Sequence, residues 1–363
     1  MTVETASKSL FGWLFKRRRF LSQQVLAAHL ALETHLGKES FWVKYIGSLP
    51  QNIATPVFTS SAEIDVLPIE VTSQVNSFKV NIGLLFQELV ESFSPNDKCP
   101  HCDISVFKIF TFDSFIWAWF IINSRAVYIC PERNSDHQLK LSDSNCLALA
   151  PYLDMFNHSN DAKVQAFVSE VDGHYRIQTS TPFRKNTQVF IHYGDHANLK
   201  LYLEYGFIIS NNIHDTLQVT FDEVYSTIVC KNQETSTSKK TYSFLKSHDL
   251  LTNMYLSADG LSWSLKALIY VLLSSEKVDH KTIQLKVYSN SFTNNELGDI
   301  WKIGKLVLEK KRHQIQTQLQ EMKHAKDYKL CSNVSGSFLM AIELYQEYLS
   351  VLGNCEKNAV GYS

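Results

Sequence analysis

APYLDMFNHS (residues 150–159), FIHYG (190–194) and EYGF (204–207) follow one another in that order along a chain of 363 residues. Between the first two blocks, Val164–Val168 and Tyr175–Thr179 alternate like strands and are joined through Asp172 and Gly173, a strong hairpin-turn pair. Gln188–Tyr193 reads as a third strand ended by Gly194, and Asn198–Tyr205 as a short helix stopped at Gly206. Each block alone is short enough to occur by chance. Their fixed order around a hairpin is informative.

Upstream of the blocks the period is helical. Residues 21–36 place Leu21, Val25, Leu26, Leu30 and Leu36 on one face before Gly37, and 73–93 repeat the pattern. Pro95, Asn96, Asp97 and Pro100 then break the chain into a surface loop. Residues 111–128 are apolar on nearly every side, with Phe112, Phe115, Trp117, Trp119 and Phe120, the pattern of a helix buried within a fold. After a polar loop at 133–145 the extended region begins. Beyond it, 231–240 (KNQETSTSKK) reads as a linker, and the remainder is helical, marked by Leu261, Leu265, Leu268 and Leu272 and then by Ile303, Leu306, Val307, Ile315, Leu319 and Met322.

Hydrophobic residues make up 45% of the chain, enough for a substantial core and for about two domains. Lys and Arg total 35 against 36 Asp and Glu, so no global field favours nucleic acid or an anionic membrane. The basic run Lys16–Arg19 reads as a solvated turn. Seven cysteines at 99, 102, 130, 146, 230, 331 and 355 form no disulfide framework and fit a reducing compartment, cytoplasmic or nuclear. No apolar window approaches the roughly 18 residues of a membrane span. There is no phosphate-cradling glycine loop and no GxSxG elbow, which sets aside nucleotide hydrolysis and serine hydrolysis. Cys99 and Cys102, in CPHC, supply two of the four ligands that zinc needs. With no second CxxC or HxxxH partner, no metal is expected, and neither chelators nor added zinc should alter stability.

The three blocks resemble the NHS segment, the tyrosine-glycine strand end and the YGF segment of SET-domain methyltransferases of the Rubisco large-subunit methyltransferase-like branch, and within it the SET domain-containing protein 4 subgroup. Trp117–Tyr128 with Ser124, Arg125 and Ala126 resembles the element just upstream in that branch, and the C-terminal helices resemble its substrate-binding lobe. The resemblance spans residues 21–350 and is strongest over 115–210. It implies an α+β fold: a SET-domain β-fold with a helical insert at 21–130, a SET core at 131–212, a linker at 213–240 and an all-helical lobe at 241–355.

It also implies a protein-lysine N-methyltransferase that uses S-adenosylmethionine. The partner is then a protein bearing a target lysine, with histones among the candidates, and neither nucleic acid nor membrane is a direct partner. By resemblance Tyr193 is the catalytic tyrosine and Tyr205 part of the lysine channel. Asn157, His158 and Phe207 fall at cofactor-holding positions. Arg125 ends a helix nearly devoid of charge, and burying it needs an anion; the cofactor carboxylate and Asp154 both qualify. A truncated, catalytically weak or inactive SET-like protein-binding module and a protein-histidine methyltransferase are the competing readings. Two departures stand out. Asn186 must make the turn that a glycine-acid pair makes in the family, and residues 1–20 contain only Gly12 in place of the glycine-rich GRGL-like opening segment, so weak or absent cofactor binding and low activity are expected.

Overall fold

The computed structural model describes residues 1–129, 139–144, 147–169, 171–231, 239–274, 278–327 and 335–359. Most of the polar loop at 133–145 and of the linker stretch at 231–240 therefore lies outside the described residues. The chain divides into two compact units: Met1–Thr59, Ile69–Asp195 and Leu203–Gly206 form the first, while Ser60–Pro68, His196–Tyr202 and Phe207–Ser363 form the second.

In the first unit, helix α1 (Ser22–Leu36) buries Val25, Leu26, Leu30 and Leu32 and ends at Gly37, whose φ of +55° reverses the chain at no steric cost. Helix α2 (Ile69–Glu91) buries Val71, Val75, Ile82 and Leu89, one stripe of a helix that is otherwise solvated. Helix α3 (Phe112–Arg125) starts in a capping box between Thr111 and Ser114 and buries Phe115, Ile116, Ala118, Phe120, Ile121 and Ile122, as its all-round apolarity predicts. It packs on α1. Phe86 of α2 meets Phe110, Phe112 and Phe115 at 5.3–5.7 Å, fixing the entry of α3.

The buried helix ends at Arg125, where Ser124 and Arg125 interrupt the apolar run, and the apolar residues beyond it leave the helix. Ala126–Tyr128 is strand β1, antiparallel to β2 (Leu147–Leu149) with Ala126 opposite Leu149. Strand β3 is only Asn157–His158. The hairpin β4 (Val164–Val168) and β5 (Tyr175–Thr179) forms as read, with Gly173 at φ +68°. Asn186 turns the chain at φ +66°, a conformation asparagine tolerates, as its place in the sequence requires. The third strand is shorter than 188–193: only β6 (Phe190–Ile191) pairs, parallel to β3, because β3 offers two residues and no more.

The second unit begins its sheet inside the expected linker. Strand β7 (Thr216–Gln218) and helix α4 (Phe221–Lys231) lie within the stretch expected to be a linker, with Leu217, Val219, Val224 and Ile228 buried. Strands β8 (Tyr255–Ser257) and β9 (Gly260–Leu261) join β7 in an antiparallel sheet, which adds a short hairpin to a lobe expected to be all-helical. Helices α5 (Trp263–Ser274), α6 (Asn294–Asp327) and α7 (Gly336–Asn358) bury Leu265, Leu268, Ile303, Val307, Met322, Phe338, Tyr345 and Tyr348. Among the described residues no helix is long and apolar enough to cross a membrane.

Candidate active site

Five of the six candidate residues come together at the ends of short elements in the first unit. Strand pairing of β3 with β6 sets Asn157 beside Phe190 and His158 beside Ile191, which brings the NHS block against the FIHYG block. Side chains then lock the two. The Tyr193 N–H donates to Nδ1 of His158 at 3.0 Å, and Nε2 of His158 is 3.0 Å from Oδ1 of Asn160. Because Nδ1 accepts, the neutral imidazole carries its proton on Nε2 and donates there. His158 thus positions the backbone of Tyr193.

The Tyr193 hydroxyl donates to the Phe156 carbonyl at 2.6 Å. Its ring stacks on that of Tyr205 at 5.5 Å with an interplanar angle of 26°. Burial raises the Tyr193 phenol above its ordinary value, with opposing influences from Arg125 and Asp154, and burial together with the Glu204 carboxylate pushes Tyr205 up to about 12. Both rings therefore remain neutral phenols at physiological pH. Gly206 explains why Tyr205 can sit there: its φ is +75°, and a Cβ would stand 3.0 Å from the Ala54 carbonyl carbon, so a larger residue is refused on two counts.

Behind the tyrosines lies a charged pair. Arg125 Nη1 donates to the backbone carbonyl of Asp154 at 3.0 Å and to its Oδ2 at 3.2 Å, and the Tyr45 hydroxyl donates to the same Oδ2 at 2.8 Å. The Asp154 side chain is only 1% exposed, yet its Oδ1 has no hydrogen-bond partner among the described residues. Of the two anions weighed for Arg125, the structure pairs it with Asp154, and it engages the guanidinium through a single nitrogen. Among the described residues its hydrogen bonds run through Nη1, and the other guanidinium N–H groups suit a second anion. Asn157 is exposed, where its amide can meet a ligand. Phe207, the sixth candidate, falls in the second unit, where its N–H donates to the Leu201 carbonyl.

Tyr45 and the carbonyl of Phe156 were not marked by any sequence pattern. Tyr45 sits in a short aromatic turn 109 residues from Asp154, and only the fold reveals the pairing. Tyr152, 80% exposed at φ +74°, is a further surprise: a bulky residue held in the left-handed region two positions before Asp154 is strained, and such strain gathers at sites that bind or react.

No protein-family model matches the chain. Among curated proteins it is similar to SET domain-containing protein 4 of Homo sapiens, 29% identical over 97% of this chain and 78% of that protein, and to the Mus musculus protein of the same name, 30% identical over 89% and 73%. Actin-histidine N-methyltransferase of Xenopus tropicalis is 28% identical over 60% of this chain and 36% of its own length. Among solved structures the chain superposes on the SET domain of LSMT bound to MeLysine and AdoHcy with a TM-score of 0.63 at 18% identity, covering 100% of this chain and 80% of that one. That last likeness is one of fold.

Proposed function

This chain belongs to the SET domain-containing protein 4 family, and from that premise we propose that it is an S-adenosylmethionine-dependent protein methyltransferase that modifies lysine. The observation that carries the reading is the stacked pair of neutral phenols, Tyr193 on Tyr205, held beside an arginine–aspartate pair with unspent donors and one unspent acceptor. The residues fit the cofactor. The free N–H groups of Arg125 suit its carboxylate, the amide of Asn157 and the backbone of the β3 end suit its polar atoms, and the unmet Oδ1 of Asp154 suits a cationic nitrogen. When bound, S-adenosylmethionine supplies a methyl group on a sulfonium, ready for in-line displacement by an amine.

The chain's own residues then align and desolvate. The Tyr193 hydroxyl spends its proton on the Phe156 carbonyl, so toward an incoming amine it acts as an acceptor. A phenol held above its ordinary pKa is not the base that deprotonates lysine. The aromatic walls do that work indirectly: burying an ammonium against these apolar ring edges disfavours its charged form, so the proton leaves to solvent before transfer. A fixed orientation of nucleophile and methyl supplies much of the rate. The substrate class is a protein, with lysine as acceptor.

The test is incubation of the full chain with labelled S-adenosylmethionine and cell extract, followed by mass spectrometry of the modified site, with calorimetric titration of the cofactor alongside. Label on lysine, lost in Tyr193→Phe while cofactor affinity persists, is the expected result. Label on histidine would overturn the choice of acceptor, and absence of any cofactor binding would overturn the enzyme reading.

A further inference from the structure

Among the described residues the methyl-transfer reading leaves one cluster of metal-ligating side chains in the first unit unused. CPHC lies in the loop between α2 and α3, and that loop is tightly built. The Cys99 N–H donates to the Ile104 carbonyl at 2.8 Å, the Asp103 N–H returns to the Cys99 carbonyl at 2.9 Å, and Asp103 adopts a left-handed φ of +60°. Just before it, Asp97 is clamped by the Arg17 guanidinium and by the Ser94 N–H. The result is a Cys-x-x-Cys knuckle whose shape does not depend on a long flexible loop.

The sequence spacing offers no third ligand, but the fold does. His35, in the last turn of α1, brings its Nε2 to 3.3 Å from Sγ of Cys102, across 67 residues of chain. The ligand atoms of His35, Cys99 and Cys102 all lie within 4.8 Å of one another. Around a tetrahedral zinc, with sulfur at about 2.3 Å and nitrogen at about 2.0–2.1 Å, neighbouring ligand atoms stand roughly 3.3–3.8 Å apart. Small side-chain rotations suffice to reach that geometry. Cys99 is buried and Cys102 exposed, so the site has a protected floor and an open entry for the ion.

We propose that His35, Cys99 and Cys102 form a structural zinc site, its fourth position taken by solvent or by His101 on the same turn. Two thiolates and an imidazole are soft to borderline donors, which select zinc over calcium or magnesium. On binding, each thiol loses its proton to solvent as its sulfur bonds the ion, and no electron changes hands. The bound ion pins the C-terminal end of α1 to the loop that leads into α3. Its loss is therefore felt as stability, not as chemistry at Tyr193.

The experiment takes the full chain purified under reducing conditions without chelator, measures zinc by elemental mass spectrometry, and repeats binding with cobalt as an optical reporter. One zinc per chain is expected, with a melting temperature that falls when chelator strips it and recovers when zinc is returned. The cobalt form should show a thiolate charge-transfer band. His35→Asn and Cys102→Ser are each expected to weaken zinc binding by about 100-fold or more, since loss of an outer-shell partner alone costs about 10–100-fold. Cys102 is exposed, so its replacement tests the site without risking the core. The proposal fails if reduced protein takes up neither metal, or if Cys102→Ser binds zinc as tightly as the parent. A Cys99–Cys102 disulfide in air-exposed protein that shows no metal uptake after reduction would also overturn it, and would identify a redox pair.

Discussion

Two buried polar clusters, one in each unit, are built to different standards of completion. In the second unit Asn198 and Asp215 are 0% and 2% exposed, and every polar side-chain atom of the pair has a partner. Asp215 accepts from the Asn198 N–H, the Asn198 side chain and the Thr216 N–H, while Asn198 clasps both the N–H and the carbonyl of Ile209. In the first unit Asp154 is as deeply buried but keeps one oxygen unmet, and Arg125 meets it with one nitrogen. A closed network holds a loop in place. An open one costs stability in the free protein and can recover it from a ligand.

The sharpest way to break this contrast is Arg125→Ala, which strands the Asp154 carboxylate in the interior. Chemical denaturation is expected to show a loss of about 4 kcal/mol, together with loss of cofactor binding. A loss below about 1 kcal/mol would mean that Asp154 does not depend on Arg125. Next in size, Tyr193→Phe should slow methyl transfer by about 100-fold or more, about 3 kcal/mol of barrier, with cofactor affinity nearly unchanged. Wild-type turnover in the folded variant would remove the hydroxyl from the mechanism.

Asn198→Ala probes the closed cluster. It should cost about 2 kcal/mol of stability, and cofactor affinity should stay within about twofold of the parent. Burial raises the Asp215 carboxyl to about 6, against the hydrogen bonds from Asn198 that lower it, so the substitution should move it higher still, as read by carboxyl chemical shifts. The sign for stability follows. A carboxyl whose folded value is raised contributes stability that is fully present below its ordinary value near 3.8 and lost as pH rises through about 6, a swing of about 3 kcal/mol. The smallest expected effect is that of Asn157→Ala, about 1 kcal/mol of cofactor affinity by calorimetry and no change in melting temperature without ligand. Unchanged affinity would make the exposed amide a bystander.

Local signals explain what could be read from the sequence. Asp172-Gly173 marked its hairpin, Asn186 its turn, and Gly206 the stop of a short helix. The order of the three blocks pointed to Tyr193, His158 and Tyr205, which the fold does bring together. Pairings at long range were not legible. Ala126–Tyr128 continues the apolar run of α3 and becomes a strand only because Leu147–Leu149 lies opposite. Tyr45 and His35 sit in ordinary helical patterns, and nothing along the chain announces that one will meet Asp154 and the other the CPHC turn.

The junction of β3 with β6 has a consequence for motion. It is two residues long on each side, and the bond that secures it, from Tyr193 to His158, closes 35 residues of chain. Such a contact repays its loop-closure entropy with few hydrogen bonds, so it belongs among the last parts to form and the first to open. Amide hydrogens at His158 and Tyr193 are expected to exchange through small local openings while those of α1 and α3 await global unfolding. A ligand gripped at both Arg125 and Asn157 would close that clasp, and protection of these few amides would rise with its concentration.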